Sequence, residues 1–370
     1  MRCRVSIDMS EFFSTVAVGW GKVWPILFAI FFFGVIIMSH ELGHFTFAKL
    51  FKVKVNKFAI GMGPKLFKKK KGDTEYSLRL FPIGGFVAME GEDDDSEDEG
   101  AFSKKKVWQR IIIVAAGAIV NLILGLLIVI FMLTQENLIG TPRVNQFYEE
   151  ATTVNYGLQE GDIIKEINGR KVFSSYDLSF LLSRDKDGTV DFVVDRNGEE
   201  KALSGVRFQT AELEDGTTTM VFDFSVVGIE PSFTSVIKYG FLESISIGRI
   251  VWISFFDLIT GTYGFSDLSG PIGTVGYIAE ITQEAVKTDI TPMLMILALI
   301  SINIGIFNLL PVPALDGGRL FFLFIELIFR KPINRKYEGW IHAVGLVLLM
   351  LLMVAISFSD ITKLVRGELF

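Results

Sequence analysis

The chain has 370 residues, of which 50% are hydrophobic and 34 are phenylalanines, and its mean hydropathy is positive. This composition is more apolar than that of an ordinary soluble protein and indicates a membrane protein. The net charge of −6, without a basic recognition element, argues against a nucleic-acid partner. The single cysteine, Cys3, excludes an internal disulfide framework and a cysteine-built zinc site, so any metal must be bound by His, Asp or Glu.

Four apolar segments have about the length of a membrane-spanning helix, which needs roughly 20 residues. They cover residues 23–44, 111–133, 293–310 and 340–359. The first resembles a secretory signal peptide only superficially, because Asp8 and Glu11 precede it and no small-residue cleavage site follows it. We therefore expect it to stay in the mature protein as the first of four transmembrane helices.

The distribution of Lys and Arg predicts the orientation of these helices. Basic residues are concentrated in the loop between the first two segments and in the loop between the last two, and such loops face the cytoplasm. Both termini and the long central region are then extracytoplasmic. Residues 234–260 mix apolar and charged positions, and we interpret them as one or two amphipathic helices on the outer membrane surface. A fifth span there would contradict the basic loop that follows.

The motif His-Glu-Leu-Gly-His occupies residues 40–44, at the end of the first apolar segment. On a helix, His40 and His44 share one face and can bind one metal ion, while Glu41 lies beside it as a general base. The alternative is a pair of ordinary helix-surface histidines, which fits a soluble helix better than an apolar one. Ionisable groups at membrane depth are costly, so the pattern favours a metal site.

A catalytic zinc needs a third protein ligand and an open position for water. Residues 45–72 contain no Asp, Glu or His, so this ligand must come from elsewhere in the chain. Asp316 is the best candidate, because the first and third apolar segments both run inward and place it at the same depth as the histidine pair. Glu326 and Asp257 are weaker candidates, and we interpret both as ordinary carboxylates at the membrane interface.

Two regions outside the apolar segments have the alternation of β-strands. Residues 74–91 predict a hairpin with Gly84 and Gly85 at its turn. Residues 141–229 predict a small β-rich domain, and the stretch YGLQEGDIIKEINGRKV at 156–172 resembles the signature of PDZ domains. A PDZ fold commonly binds an extended chain at a sheet edge. The alternative is a β-rich spacer that binds nothing.

Taken together, HELGH on the first helix, LDGG at 315–318 and a PDZ-like insert between them resemble the site-2 proteases, in particular their bacterial RseP/RasP group. GAIVN at 117–121 and FNLLPVPALDGG at 307–318 extend the resemblance to nearly the whole chain. The resemblance implies Zn²⁺ bound by His40, His44 and Asp316, with Glu41 as the catalytic base. It also implies contact with the substrate by a further set of residues: Gly84, Gly85, Asn121, Asn303, Asn308, Pro311 and Pro313. For the asparagines, interhelical hydrogen bonding is an alternative.

The predicted fold is thus a polytopic α-helical membrane protein with four transmembrane helices, a PDZ domain between the second and third, and a re-entrant β-hairpin. Its expected parts are an N-terminal membrane half (1–140), the PDZ domain (141–230), an amphipathic interfacial segment (231–290) and a C-terminal membrane half (291–370).

The resemblance implies a zinc endopeptidase of the bacterial inner membrane that cuts single-span proteins, such as anti-sigma factors, or remnant signal peptides. Its active site would lie toward the cytoplasm, and the PDZ domain would act as a substrate filter. The alternatives are an inactive membrane scaffold with a PDZ binding module, or a metal transporter. The transporter is disfavoured because a transporter would have polar residues along several helices, whereas the second and fourth segments here are nearly featureless.

Overall fold

The computed structural model describes residues 9–92, 94, 96–185, 187–212, 218–261, 268, 270–285 and 289–366. Cys3 and Asp8, which the sequence analysis considers, lie outside the described residues. The chain divides into two compact units. The membrane unit, as we call it, comprises Met1–Gly125 and Thr260–Phe370, and the β-rich unit comprises Leu126–Ile259.

The helices and strands follow one another in the order α1 Met9–Leu50, β1 Val55–Lys71, β2 Thr74–Met89, α2 Val107–Leu133, β3 Ile139–Phe147, β4 Ile163–Ile167, β5 Arg170–Lys171, α3 Ser175–Ser183, β6 Thr189–Arg196, β7 Glu199–Arg207, β8 Thr210–Glu212, β9 Thr218–Met220, β10 Phe224–Ile229, α4 Phe233–Ile259, α5 Pro271–Ala285, α6 Thr291–Phe307, α7 Asp316–Phe329 and α8 Arg335–Arg366. Short 3₁₀ turns at Phe102–Lys104 and Thr153–Tyr156 complete the chain.

Three helices in the described part of the chain are long and apolar enough to cross a membrane: Val23–Leu50, Val107–Leu133 and Lys336–Arg366. They contain the first, second and fourth predicted spans. The third predicted segment, 293–310, forms α6, which is apolar but only 17 residues long. The chain leaves the helix at Asn308, before Pro311 and Pro313, which lack a backbone donor and cannot continue a helix.

The predicted hairpin at 74–91 is wrong in its turn and in its pairing. The tight turn is at Gly72 and Asp73, between β1 and β2. Residues 55–60 of β1 pair on one side with 75–78 and on the other with 85–89 of β2, and residues 65–71 pair with 74–79. Both strands therefore bend. Gly84 lies within β2, just before the part that pairs with residues 55–60, and not in a hairpin turn. Its φ of +85° is a conformation that the lack of a Cβ permits.

Glycine brings the helices of the membrane unit close together. A Cβ on Gly43 of α1 would lie 2.5 Å from the carbonyl oxygen of Ala116 in α2. A Cβ on Gly305 of α6 would lie 3.0 Å from the carbonyl oxygen of Ala118. Such small-residue contacts are the usual way for membrane helices to approach one another. They bring α1 and α6 onto α2 at the level of the HELGH motif.

The β-rich unit has a six-stranded sheet with the order β10-β3-β4-β6-β7, to which β5 adds by pairing with β4. Its core consists of side chains from the sheet and α3, including Val144, Ile164, Leu182, Phe192 and Val194. Asp162, from the Gly-Asp pair of the PDZ-like stretch, is fully buried and forms a two-pronged ion pair with Arg196. Such a pair satisfies both carboxylate oxygens, so Asp162 has a structural role.

Helix α4 is a single helix whose polar side chains lie against α3. The Ser246 hydroxyl donates to the buried Asp177 carboxylate at 2.7 Å, and Arg249 contacts the same carboxylate at 3.3 Å. Further along, Arg184 donates to Asp257 at 3.0 Å. These contacts fix the polar face of α4 within its own unit.

Candidate metal centre

Three side chains converge at the end of α1. The Nε2 atoms of His40 and His44 lie 3.1 Å apart, and Asp316 Oδ2 lies 3.0 Å from the first and 3.1 Å from the second. Both histidines are buried, with 9% and 8% of their surface exposed. In the described part of the chain this is the one group of three or more His, Cys, Asp or Glu residues that could hold a metal ion.

The hydrogen bonding of His44 indicates which of its nitrogens faces the cluster as an acceptor. Its Nδ1 lies 2.9 Å from the backbone carbonyl of Ile113, which can only accept, so Nδ1 carries a proton. In the neutral ring Nε2 then bears a lone pair, and this lone pair faces Asp316 Oδ2. Oδ2 is buried, and its polar neighbours are the two histidine nitrogens. Two electron-rich atoms in contact are stabilised by a shared cation, and a carbonyl on the second nitrogen is typical of metal-bound histidines.

Helix α2 closes one side of the cluster. A Cβ built on Gly117 would lie 2.4 Å from His44 Nε2 and 2.8 Å from His40 Cε1, closer than any real contact. Only glycine therefore leaves room for the two rings. Gly117 begins the stretch GAIVN but is not among the site residues predicted from the sequence, although a small residue in an apolar helix is a signal for close packing.

Asp316 is the first residue of α7 and not, as predicted, the end of the third apolar helix. The chain leaves α6 after Phe307 and turns back at residues 308–315. A Cβ on Gly317 would lie 1.8 Å from the carbonyl oxygen of Leu310, and one on Gly318 would lie 2.7 Å from that of Val312. The two glycines of LDGG thus let α7 begin directly against this segment, which brings Asp316 to the histidines.

Glu41 is half-buried and lies beside the cluster, close enough to interact electrostatically with His40, His44 and Asp316. Strand β2 covers it: a Cβ on Gly85 would lie 3.0 Å from Glu41 Cγ. Of the described residues, those at 85–89 pair as a strand only with 55–60, so no strand lies on their other side. There the backbone N–H of Val87 donates to Glu41. The carboxylate and this edge therefore lie next to each other.

Ion pairs fix α7 in place. Arg110 of α2 donates to Glu326 at 2.6 Å, and Arg319 forms an ion pair with Glu92, which follows β2. All four line a cavity of about 620 Å³ that also contacts His342. Glu326, considered earlier as a metal ligand, thus neutralises an arginine. Asp257, the other candidate, does the same with Arg184 in the β-rich unit.

The remaining predicted site residues lie on α2, on α6 and in the segment after α6. Asn121 is fully buried; its side-chain oxygen accepts from the Ser39 hydroxyl at 2.8 Å, and its backbone oxygen accepts from Ser301. This is the interhelical hydrogen bonding that the sequence analysis gave as the alternative. Asn303 is half-buried within α6, and Asn308 ends that helix by donating to the carbonyl of Ile304 at 3.0 Å. Pro311 and Pro313 lie in the segment that leads to Asp316.

The donor set and its dimensions fit zinc. Two imidazole nitrogens and one carboxylate oxygen are a common set of protein ligands for catalytic zinc, and the three atoms are close enough for one ion to contact all of them at the ~2.0–2.2 Å typical of zinc. A fourth position would remain for water or substrate. With a carboxylate beside it, the arrangement is suited to metal-assisted hydrolysis.

Comparisons with known proteins agree with this chemistry. Residues 28–352 match the family described as Peptidase family M50. RasP of Bacillus subtilis, whose printed name is regulator of sigma-W protease, is 31% identical in an alignment of 417 positions. The alignment covers 90% of this chain and 97% of the relative. A protein of Clostridium acetobutylicum whose name describes a zinc metalloprotease is 35% identical over 342 residues, with 91% and 97% coverage.

Among solved structures, the PDZ domain of an SdrC-like protein from Listeria innocua covers 25% of this chain and 97% of its own length, at 20% identity. Its TM-score of 0.19 is too low to carry an argument about the fold of the β-rich unit. The family match, in contrast, extends over most of the chain and confirms the resemblance noted in the sequence. The chain belongs to peptidase family M50, the site-2 proteases, and is a metalloendopeptidase.

Proposed function

We propose that this protein is a zinc-dependent intramembrane endopeptidase, which hydrolyses a peptide bond within or near a transmembrane segment of another protein. The observation that carries the proposal is the convergence of the buried His40 and His44, on a 28-residue apolar helix, with the half-buried Asp316. Polar groups are costly at such a place and are retained there for function.

In the proposed mechanism His40, His44 and Asp316 hold the zinc, which supplies Lewis-acid activation of water and of the scissile carbonyl when it is bound. Glu41 accepts a proton from the attacking water on its carboxylate and later donates it to the leaving nitrogen of the cleaved peptide. The carbonyl of Ile113 keeps His44 in the tautomer that presents Nε2. Gly117 leaves the space in which both rings adopt this orientation.

The residues around Glu41 present the substrate to the metal centre in this proposal. A helix hides its peptide bonds, so a transmembrane substrate must be extended before it is cut. The edge at 85–89, which pairs with no second strand and has Gly84 and Gly85 at its start, can hold the extended chain by strand addition. A second set of substrate contacts is proposed for Asn303, Asn308, Pro311 and Pro313, on α6 and in the segment that follows it. The fully buried Asn121 instead makes the interhelical hydrogen bonds described above.

The proposed architecture has a fourth span that includes α6 and a PDZ domain at 141–230, flanked by the membrane halves and by an interfacial segment at 231–290. The active site would face the cytoplasm, with the PDZ domain and both termini outside. The apolar helices and bacterial relatives support a bacterial membrane protein. In this arrangement the PDZ domain filters substrates, and candidates are single-span anti-sigma factors or remnant signal peptides.

A cleavage assay tests the proposal. The detergent-purified protein and its Glu41→Gln variant are incubated with a model single-span substrate with and without its ectodomain, and the products are mapped by mass spectrometry. We expect the parent alone to cut within the span, with zinc retained in both proteins. Equal zinc content but no cleavage of any single-span substrate by the parent would favour the inactive scaffold.

A further inference from the structure

The segment that leads into Asp316 has a backbone conformation that its sequence does not favour. Ala314 has a φ of +74°, in the left-handed region that residues other than glycine rarely adopt. Leu315 is extended, and Asp316 then begins α7. A strained residue persists only where its surroundings determine its conformation. The direction of the Asp316 carboxylate therefore depends on whatever holds Ala314.

Helix α8 provides that support. The backbone N–H of Ala314 donates to His342 Nδ1 at 3.0 Å, and the His342 ring packs 5.9 Å from that of Phe322 on α7. Because Nδ1 accepts this bond, it must carry a lone pair. Three residues on, a Cβ on Gly345 would lie 2.4 Å from Pro313 Cβ. One face of α8 thus holds two consecutive residues of the segment.

We propose that His342 is a positioning residue for the metal centre: its Nδ1 holds Ala314 in the left-handed conformation and so directs Asp316 toward His40 and His44. The proposal rests on the zinc site described above. It gives a specific function to a histidine of α8 and keeps His342 outside the set of metal ligands.

The opposing view is that His342 merely fills space between α7 and α8. The two views differ in what a substitution must preserve. A packing role requires volume, which leucine supplies, whereas the proposed role requires an acceptor at the position of Nδ1, which the side-chain oxygen of asparagine supplies. The 620 Å³ cavity next to His342 leaves room for either side chain.

The test measures zinc affinity of the full-length protein in detergent, by competition with a chromogenic chelator, together with the absorption spectrum of the cobalt-substituted form. His342→Leu should weaken zinc binding roughly 10- to 100-fold, the usual effect of losing a group that orients a ligand. His342→Asn should bind much more tightly than the leucine variant. Val344→Ala, at an exposed position of the same helix, is the control and should match the parent.

Two results would overturn the proposal: parent-like zinc affinity in His342→Leu, or an asparagine variant as weak as the leucine variant. If His342→Leu does not fold, Gly345→Ala tests the same support with His342 in place. Its Cβ must displace Pro313, so zinc affinity should fall, and an unchanged affinity would contradict the proposal. A parent protein that binds no zinc at all would instead refute the metal centre itself.

Discussion

The substitution Gly117→Ala tests the geometry of the metal centre with a single methyl group. Its Cβ would lie 2.4 Å from His44 Nε2 and 2.8 Å from His40 Cε1, whereas carbon contacts are ordinarily ~3.5–4.0 Å. The two rings must therefore retreat by about 1 Å, five times the ~0.2 Å tolerance of a metal–ligand distance. We expect zinc affinity to fall about 100-fold, the upper limit of what the loss of an orienting group costs.

The assay is chelator competition for zinc, with circular dichroism to verify the helix content. Gly339→Ala is the matched control, because a Cβ there meets nothing within 4 Å. Both substitutions should favour the helix by about 1 kcal/mol, since alanine is the better helix former. A decrease in zinc affinity confined to Gly117→Ala is therefore a local effect on the histidines. Parent-like zinc affinity in Gly117→Ala would refute the close approach of α2 to both rings.

Three further predictions concern the base, the β-rich unit and the metal. Gly85→Ala places a methyl 3.0 Å from Glu41 Cγ and should lower the cleavage rate roughly 10- to 100-fold while zinc content stays constant. Burial, with the nearby Glu136, raises the pKa of Glu243 from its ordinary 4.5 to about 7. The folded state thus favours the neutral acid, and the free energy of unfolding should fall by about 3 kcal/mol as the pH rises from 4.5 through 7. Removal of zinc by a chelator should abolish cleavage, and added zinc should restore it.

Each of these has its own control. For the base, the zinc content of Gly85→Ala separates an effect on Glu41 from loss of the metal, and an unchanged cleavage rate would contradict the proposed contact. For the β-rich unit, hydrogen exchange along α4 of the full-length protein, corrected for intrinsic rates, should lose its pH slope in Glu243→Gln. A slope that survives the substitution would assign the effect to other groups. For the metal, cleavage that continues after complete zinc removal would exclude metal-assisted hydrolysis.

The sequence was sufficient to predict the cluster because its members lie in regular elements with known periodicity. Residues four apart share a face of a helix, and the Nε2 atoms of His40 and His44 do meet. The pairing with Asp316 could be predicted from topology, since two inward-running segments end at the same depth. The prediction located Asp316 correctly near the histidines but on the wrong element, because the segment 308–315 turns back before α7 begins.

What the sequence could not show depends on long-range backbone contacts. The carbonyl of Ile113 that orients His44 has no side-chain signature, and any residue type could supply it. The alternation at 74–91 predicted a local hairpin, but residues 55–60 lie between its two halves. Alternation identifies strands without identifying their partners. Only the structure shows that the backbone N–H of Ala314 donates to His342.

X-ray absorption spectroscopy at the zinc edge tests the central claim most directly. The zinc-loaded parent should bind one ion per chain through two imidazoles and further oxygen ligands, and Asp316→Asn should lose affinity and alter the oxygen contribution. A parent without bound zinc, or a spectrum without two imidazoles, would contradict the assignment of His40, His44 and Asp316 as the metal site.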